Sequence, residues 1–187
     1  MRFPSSLSRS GFLGAALLLP AVLPADASTT HVSLPLRGHF QMVTADLYPA
    51  AANAHEDIRQ AILKAAAEHK NVLLVFGGNW CIDCHLLDLY FHDPGNASLL
   101  AENYVLVNVN IGEYDRNLDL ARKYGIPLSK GVPALVVLDG AGHILYAQRN
   151  AEFENMRVQD SSAVTAFLQK WKPRPVRKPI RSHHSGR

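Results

Sequence analysis

Residues 72–85 read Val-Leu-Leu-Val-Phe-Gly-Gly-Asn-Trp-Cys-Ile-Asp-Cys-His. Val72 to Phe76 is an unbroken apolar run of strand length, the pattern of a strand covered on both faces. Gly77 and Gly78 break it. Trp80 then presents Cys81 and Cys84, spaced C-x-x-C, and a helical pattern follows through Leu86, Leu87, Leu89, Tyr90 and Phe91. With Cys81 in the first helical turn, its sulfur faces unpaired backbone N–H groups and the positive end of the helix dipole. Both favour thiolate, so Cys81 is the expected nucleophile. Cys84 lies on the same side of that turn, within disulfide reach.

Cys81 and Cys84 are the only two cysteines among 187 residues. A structural bridge over so short a loop would add little stability, since loop-closure entropy grows with loop length. The pair therefore reads as redox-active, interconverting between dithiol and disulfide through a mixed disulfide. The N-terminus favours an oxidising compartment. Arg2 and Arg9, an apolar run from Gly11 to Leu23, and Ala25-Asp26-Ala27 form a secretory-signal pattern over 1–27. The run is 13 residues, short of the roughly 20 that span a bilayer. This predicts an exported protein, periplasmic or secreted, with an uncleaved anchor as the alternative.

The formal net charge is +3, but Lys172 to Arg187 holds six Lys/Arg and no acid. Residues 28–171 carry eleven Lys/Arg against fifteen Asp/Glu, a net of −4. The high pI belongs to the tail, so the folded body is no nucleic-acid-binding surface. The domain reading is a linker over 28–39, a folded domain over 40–171 and an extended, basic, Pro-rich tail over 172–187. The tail offers weak contact with anionic membranes.

The remaining elements follow from periodicity and caps. His39–Tyr48 alternates partially and suggests an edge strand. Asn53 and Glu56 form a capping-box pattern for a helix to His69. Asp93-Pro94-Gly95 reads as the end of the helix after Cys84, with a short helix over Ala97–Glu102 capped by Asn96. Tyr104–Ile111 is a second strand, and Asp115 is the expected cap of a helix ending at Gly125. Ala134–Leu138 and His143–Ala147 form a hairpin about Asp139–Gly142. Residues 148–159 read as polar and irregular, and Asp160 or Ser161 opens a last helix through Trp171. The order predicts an α/β domain with a mixed sheet of four to five strands and helices on both faces.

These residues resemble the thioredoxin family. The resemblance rests on Val72–Phe76 with Trp80-Cys81-Ile82-Asp83-Cys84, on Lys123-Tyr124-Gly125-Ile126 followed by Gly131-Val132-Pro133-Ala134, and on Asp139-Gly140 with His143–Ala147. It covers about residues 40–171. It implies the thioredoxin fold and a thiol–disulfide oxidoreductase. Cys81 would be the nucleophile and Cys84 the resolving cysteine, with Trp80 flanking the sulfurs. Pro133 would be a cis-proline, with the Val132 backbone free to pair with an extended substrate. Protein disulfides would be the substrates, a separate thiol the electron donor, and no cofactor or metal is called for. Three departures stand out. Ile82-Asp83 separates the cysteines where thioredoxin has Gly-Pro, and Pro127 to Lys130 lengthen the loop before Val132. The family's buried acid falls on Val75 and its lysine partner near Asn108, leaving Asp83, Glu113 or water to take the Cys84 proton.

A carboxylate beside the sulfurs disfavours thiolate. Asp83 therefore points to a reductant or isomerase-side enzyme rather than an oxidant, unless it faces solvent. A non-catalytic binding module or metallochaperone on the same fold is the second reading. A third comes from Cys81-Ile82-Asp83-Cys84-His85, which matches the c-type haem attachment pattern C-x-x-C-H, with Met42 and Met156 as distal candidates. Otherwise His85 is expected at the surface.

Overall fold

A computed structural model describes residues 46–174. The signal, the linker, most of the 39–48 edge-strand reading and the tail beyond residue 174 lie outside the described residues. Asp46 to Tyr48 is not strand.

Among the described residues, five α-helices and four strands follow in order: α1 Ala54–Glu68, β1 Asn71–Gly77, α2 Ile82–Phe91, α3 Pro94–Asn103, β2 Tyr104–Asn110, α4 Leu118–Tyr124, β3 Ala134–Leu138, β4 Ile144–Ala147 and α5 Ser161–Trp171. The sheet order is β2-β1-β3-β4. β1 runs parallel to β2 and antiparallel to β3, and β3 pairs antiparallel with β4. Every residue of β1 is buried. Its alternate side chains enter two separate cores. Val72, Leu74 and Phe76 meet Ile58 of α1 and Leu120 and Tyr124 of α4. Leu73 and Val75 meet Leu87 and Phe91 of α2, Leu99 of α3 and Leu168 of α5. This double coverage explains why β1 reads as a continuous apolar run.

Local chemistry sets the boundaries. The Asn53 side chain accepts from Glu56 N at 3.2 Å and opens α1. Glu56 turns outward to Arg59 and Gln60, so only half of the capping box forms. Asp93-Pro94-Gly95 starts a helix rather than stopping one. Asp93 is the N-cap of α3 and Pro94 its first residue, where a missing N–H is no loss. Asn96, expected as the cap, is buried and donates to Tyr90 O and to the Ser161 hydroxyl. Asn117, not Asp115, precedes α4; Asp115 accepts from Glu113 N instead. Residues 148–159 are not simply a polar loop. Gln148, Phe153 and Met156 are buried, and Met156–Val158 forms a 3-10 turn.

Candidate active site

Cys81 is the N-cap of α2, one residue before the turn in which the sequence places it. The Cys84 N–H donates to Cys81 Sγ at 3.1 Å, so the helix terminus delivers its positive end to this sulfur. The two sulfurs form a disulfide. Cys84 is the deeper, 1 % exposed against 5 % for Cys81.

The Val132–Pro133 bond is cis, and the Val132 carbonyl oxygen lies 3.6 Å from Cys81 Sγ. The loop is held from behind by Gln148, a residue that the sequence did not single out. Its Nε2 donates to Pro133 O at 3.0 Å and its Oε1 accepts from Leu135 N at 3.3 Å. Trp80 stands on the open side, 43 % exposed. Its indole N–H donates to Gly112 O at 2.8 Å, and its ring lies 5.4 Å from that of Tyr114.

Asp83 does not face solvent. It is buried, and both carboxylate oxygens are engaged by Arg157. Arg157 N and Nε donate to Oδ1 at 3.3 and 3.2 Å, and Nη2 lies 3.1 Å from Oδ2. Arg157 is 74 positions away in sequence, and nothing in the local pattern announces it. Its charge offsets part of the carboxylate's effect on the sulfurs.

His85 is also not at the surface. It is 4 % exposed, and its Nε2–H donates to Asn79 O at 2.9 Å. Nδ1 is buried without a partner. This ring fits a haem ligand poorly, because one nitrogen is committed to a backbone carbonyl and the other is enclosed. Among the described residues, no three His, Cys, Asp or Glu side chains gather into a metal-binding set.

Behind Cys84 the chain supplies a second layer. Val75 pairs in register with Asn108, so neither position of the expected acid–lysine pair carries charge. Asn108 instead donates to Leu47 O at 3.1 Å, while Asn110 and Asn79 donate to Tyr48 O at 2.7 and 3.1 Å. Asn79 Oδ1 also accepts from Tyr48 N at 3.0 Å. Three asparagines thus fasten residues 47–48 and fix Tyr48, 1 % exposed, against the site. A Cβ on Gly77 would stand 2.5 Å from the Tyr48 hydroxyl and 2.7 Å from Cys84 Sγ. Only glycine leaves room there for both the hydroxyl and the sulfur. Gly77→Ala should therefore destabilise the fold by about 1–3 kcal/mol through overpacking, read as a lowered denaturation midpoint. An unchanged midpoint would mean that Tyr48 is free to withdraw.

A family profile described as thioredoxin-like matches residues 53–140. The crystal structure of a disulphide isomerase from Xylella fastidiosa Temecula1 is similar at 35 % identity and a TM-score of 0.63, covering 66 % of this chain and 94 % of that one. The chain belongs to the thioredoxin-like family. Two further solved structures show weaker likeness. A thioredoxin from Thermus thermophilus is 22 % identical at a TM-score of 0.46, covering 60 % of this chain and 81 % of that one. The oxidised C-terminal domain of DsbD from Neisseria meningitidis is 21 % identical at a TM-score of 0.37, covering 56 % and 94 %. No curated protein matches the chain. As a thioredoxin-like protein with a paired C-x-x-C at a helix start, it is a thiol–disulfide oxidoreductase, a class that exchanges disulfides with protein substrates and a partner thiol. The mixed four-stranded sheet with helices on both faces is the thioredoxin-like architecture expected from the sequence.

Proposed function

We propose that the chain is exported and works as a reductant of protein disulfides. The Cys81 thiolate attacks a substrate disulfide, forming a mixed disulfide and releasing one substrate thiolate. Cys84 then attacks Cys81 Sγ, forming the Cys81–Cys84 disulfide and releasing the second substrate thiolate. Two electrons pass to the substrate, and a separate thiol donor restores the dithiol. The Val132 backbone guides the substrate strand across the cis-Pro133 loop, in the manner of strand addition, and Trp80 flanks it. Export rests on the signal pattern at 1–27.

The observation that carries the direction is the acidity of α2. Asp83 and Asp88 lie on the same helix as the cysteines, and Arg157 answers only the first. Carboxylates near the sulfurs raise the free energy of the thiolate-bearing reduced form and lower the potential. The pair should equilibrate near the thioredoxin end, about −270 mV. Asp83→Asn should raise the potential by about 30 mV, the shift for a tenfold change in the equilibrium, and Arg157→Gln should lower it. Redox-buffer titration followed by Trp80 fluorescence reads all three. A wild-type value of about −120 to −180 mV would overturn the reductant reading.

Isomerase activity is the second reading, favoured by the 35 % identical relative named as a disulphide isomerase. Reactivation of a scrambled disulfide protein, measured beside insulin reduction, separates the two. An isomerase restores the scrambled substrate faster than the potential alone accounts for.

A further inference from the structure

The family's buried acid is missing from β1, yet Cys84 must still lose a proton before it can attack Cys81. The cleft behind Cys84 is lined by Leu47, Tyr48, Val75, Asp88 and Asn108. With the disulfide closed it has no room for a water molecule, which leaves the side chains that line it as the nearest proton acceptors. Three polar side chains line it, and the amide of Asn108 is committed to Leu47 O, which leaves Tyr48 and Asp88. The Tyr48 hydroxyl and Cys84 Sγ flank the same glycine, a Cβ on Gly77 standing 2.5 Å from one and 2.7 Å from the other. Asp88 lies one turn beyond Cys84 on α2, so their side chains share a helix face.

We propose that Asp88 is the proton acceptor of the resolving step and that the Tyr48 hydroxyl donates a hydrogen bond to the emerging Cys84 thiolate. The Cys84 S–H proton passes to the Asp88 carboxylate. The freed sulfur forms the bond to Cys81 Sγ as the bond from Cys81 to the substrate sulfur breaks. The departing thiolate carries the electron pair away, and Asp88 returns its proton to solvent, being 17 % exposed on its outer side.

The surroundings suit both roles. Burial holds the Asp88 carboxyl above the usual carboxylate range, which brings a proton acceptor nearer to working pH. His92 and His85 on the same helix oppose that shift, and His92 Nδ1 stands 3.5 Å from Asp88 Oδ2. From the packed segment before α1, the facing titratable group is Tyr48. Burial and the Asp88 charge push its phenol far above its ordinary value, so it stays a donor at every working pH. The proposal requires only thiol–disulfide exchange at Cys81 and Cys84. It does not depend on the direction of electron flow.

The test reacts the fully reduced chain with an aromatic disulfide and follows release of the coloured thiol by stopped flow. The first thiol reports attack by Cys81 and the second reports resolution by Cys84. Asp88→Asn should slow the second phase by about a hundredfold, while the first changes only as far as loss of the carboxylate's charge favours the Cys81 thiolate. The acid limb of its pH profile should disappear, and Asp88→Glu should restore it. In a Cys81→Ser background, the same Asp88→Asn change should lower the Cys84 thiol pKa, because a negative neighbour is lost. Slower resolution by a more acidic thiol is the signature of a lost proton acceptor, and a purely structural role would not produce it. Tyr48→Phe should raise the Cys84 thiol pKa. A second phase in Asp88→Asn with wild-type rate and pH profile would overturn the proposal. So would equal slowing in Asp88→Asn and Asp88→Glu with the profile intact. Failure of the first phase in wild type would instead sink the exchange reading itself.

Discussion

Cys81→Ser should reduce insulin disulfides no faster than buffer thiol alone. The hydroxyl that replaces the thiol does not ionise near neutral pH and cannot form the mixed disulfide. The helix terminus that favours the thiolate is left with nothing to stabilise. Cys84→Ser should behave differently. The Cys81 sulfur still receives the N–H of residue 84 and still attacks, but no thiol remains to resolve the adduct. Mixed disulfides should accumulate, resolved as thiol-sensitive bands on non-reducing gels. Turnover in Cys81→Ser, or no adduct with Cys84→Ser, would show that the assignment of nucleophile and resolver is wrong.

Gln148→Leu should be the most damaging single change to the scaffold of the site. The side chain is 1 % exposed and closes two hydrogen bonds, from its amide to Pro133 O and from Leu135 N to its oxygen. Leucine has similar bulk but leaves a buried carbonyl and a buried N–H without partners. At about 1–3 kcal/mol for each orphaned group, the expected loss is about 2–6 kcal/mol. Denaturant unfolding reads the stability, and KM for a peptide disulfide reads the placement of the Val132-Pro133 loop. Gln148→Glu keeps the acceptor and loses the donor, so it should fall between. A Leu variant as stable as wild type would mean that the loop finds other partners.

The sequence revealed most where a residue's neighbours in space are also its neighbours in the chain. β1, the C-x-x-C helix, the Asp139–Gly142 hairpin and the Asn53 cap all depend on short-range patterns, and all four form, with Cys81 shifted to the N-cap and the Glu56 half of the capping box missing. Asp93-Pro94-Gly95 misleads because proline closes one helix and opens the next with equal ease, and the ring's position decides between them. Residues 148–159 misled because their apolar members, Phe153 and Met156, are too sparse to show a period, although both enter the core beside α5. The site was half legible. Cys81 and Cys84 were plain, but Arg157 and Gln148 come from distant chain and carry no local signal. His85, expected at the surface, and Asp88, not singled out, carried a signal that the reading passed over. Residues 81, 84, 85 and 88 follow the i, i+3, i+4, i+7 rule of a helix face turned inward.

The asparagine clamp on residues 47–48 separates what is recognisable in this chain from what is chemically complete. The family match begins at residue 53 and ends at residue 140. A fragment cut to those limits would keep both cysteines, α2 and the cis-proline. It would shed Tyr48 on one side and Gln148 and Arg157 on the other. Such a minimal domain would look intact by its motif yet lack the back wall, the loop anchor and the counter-ion. Exchange of the few residues before α1 is then a route to retuning resolution without altering a single position of the cysteine motif.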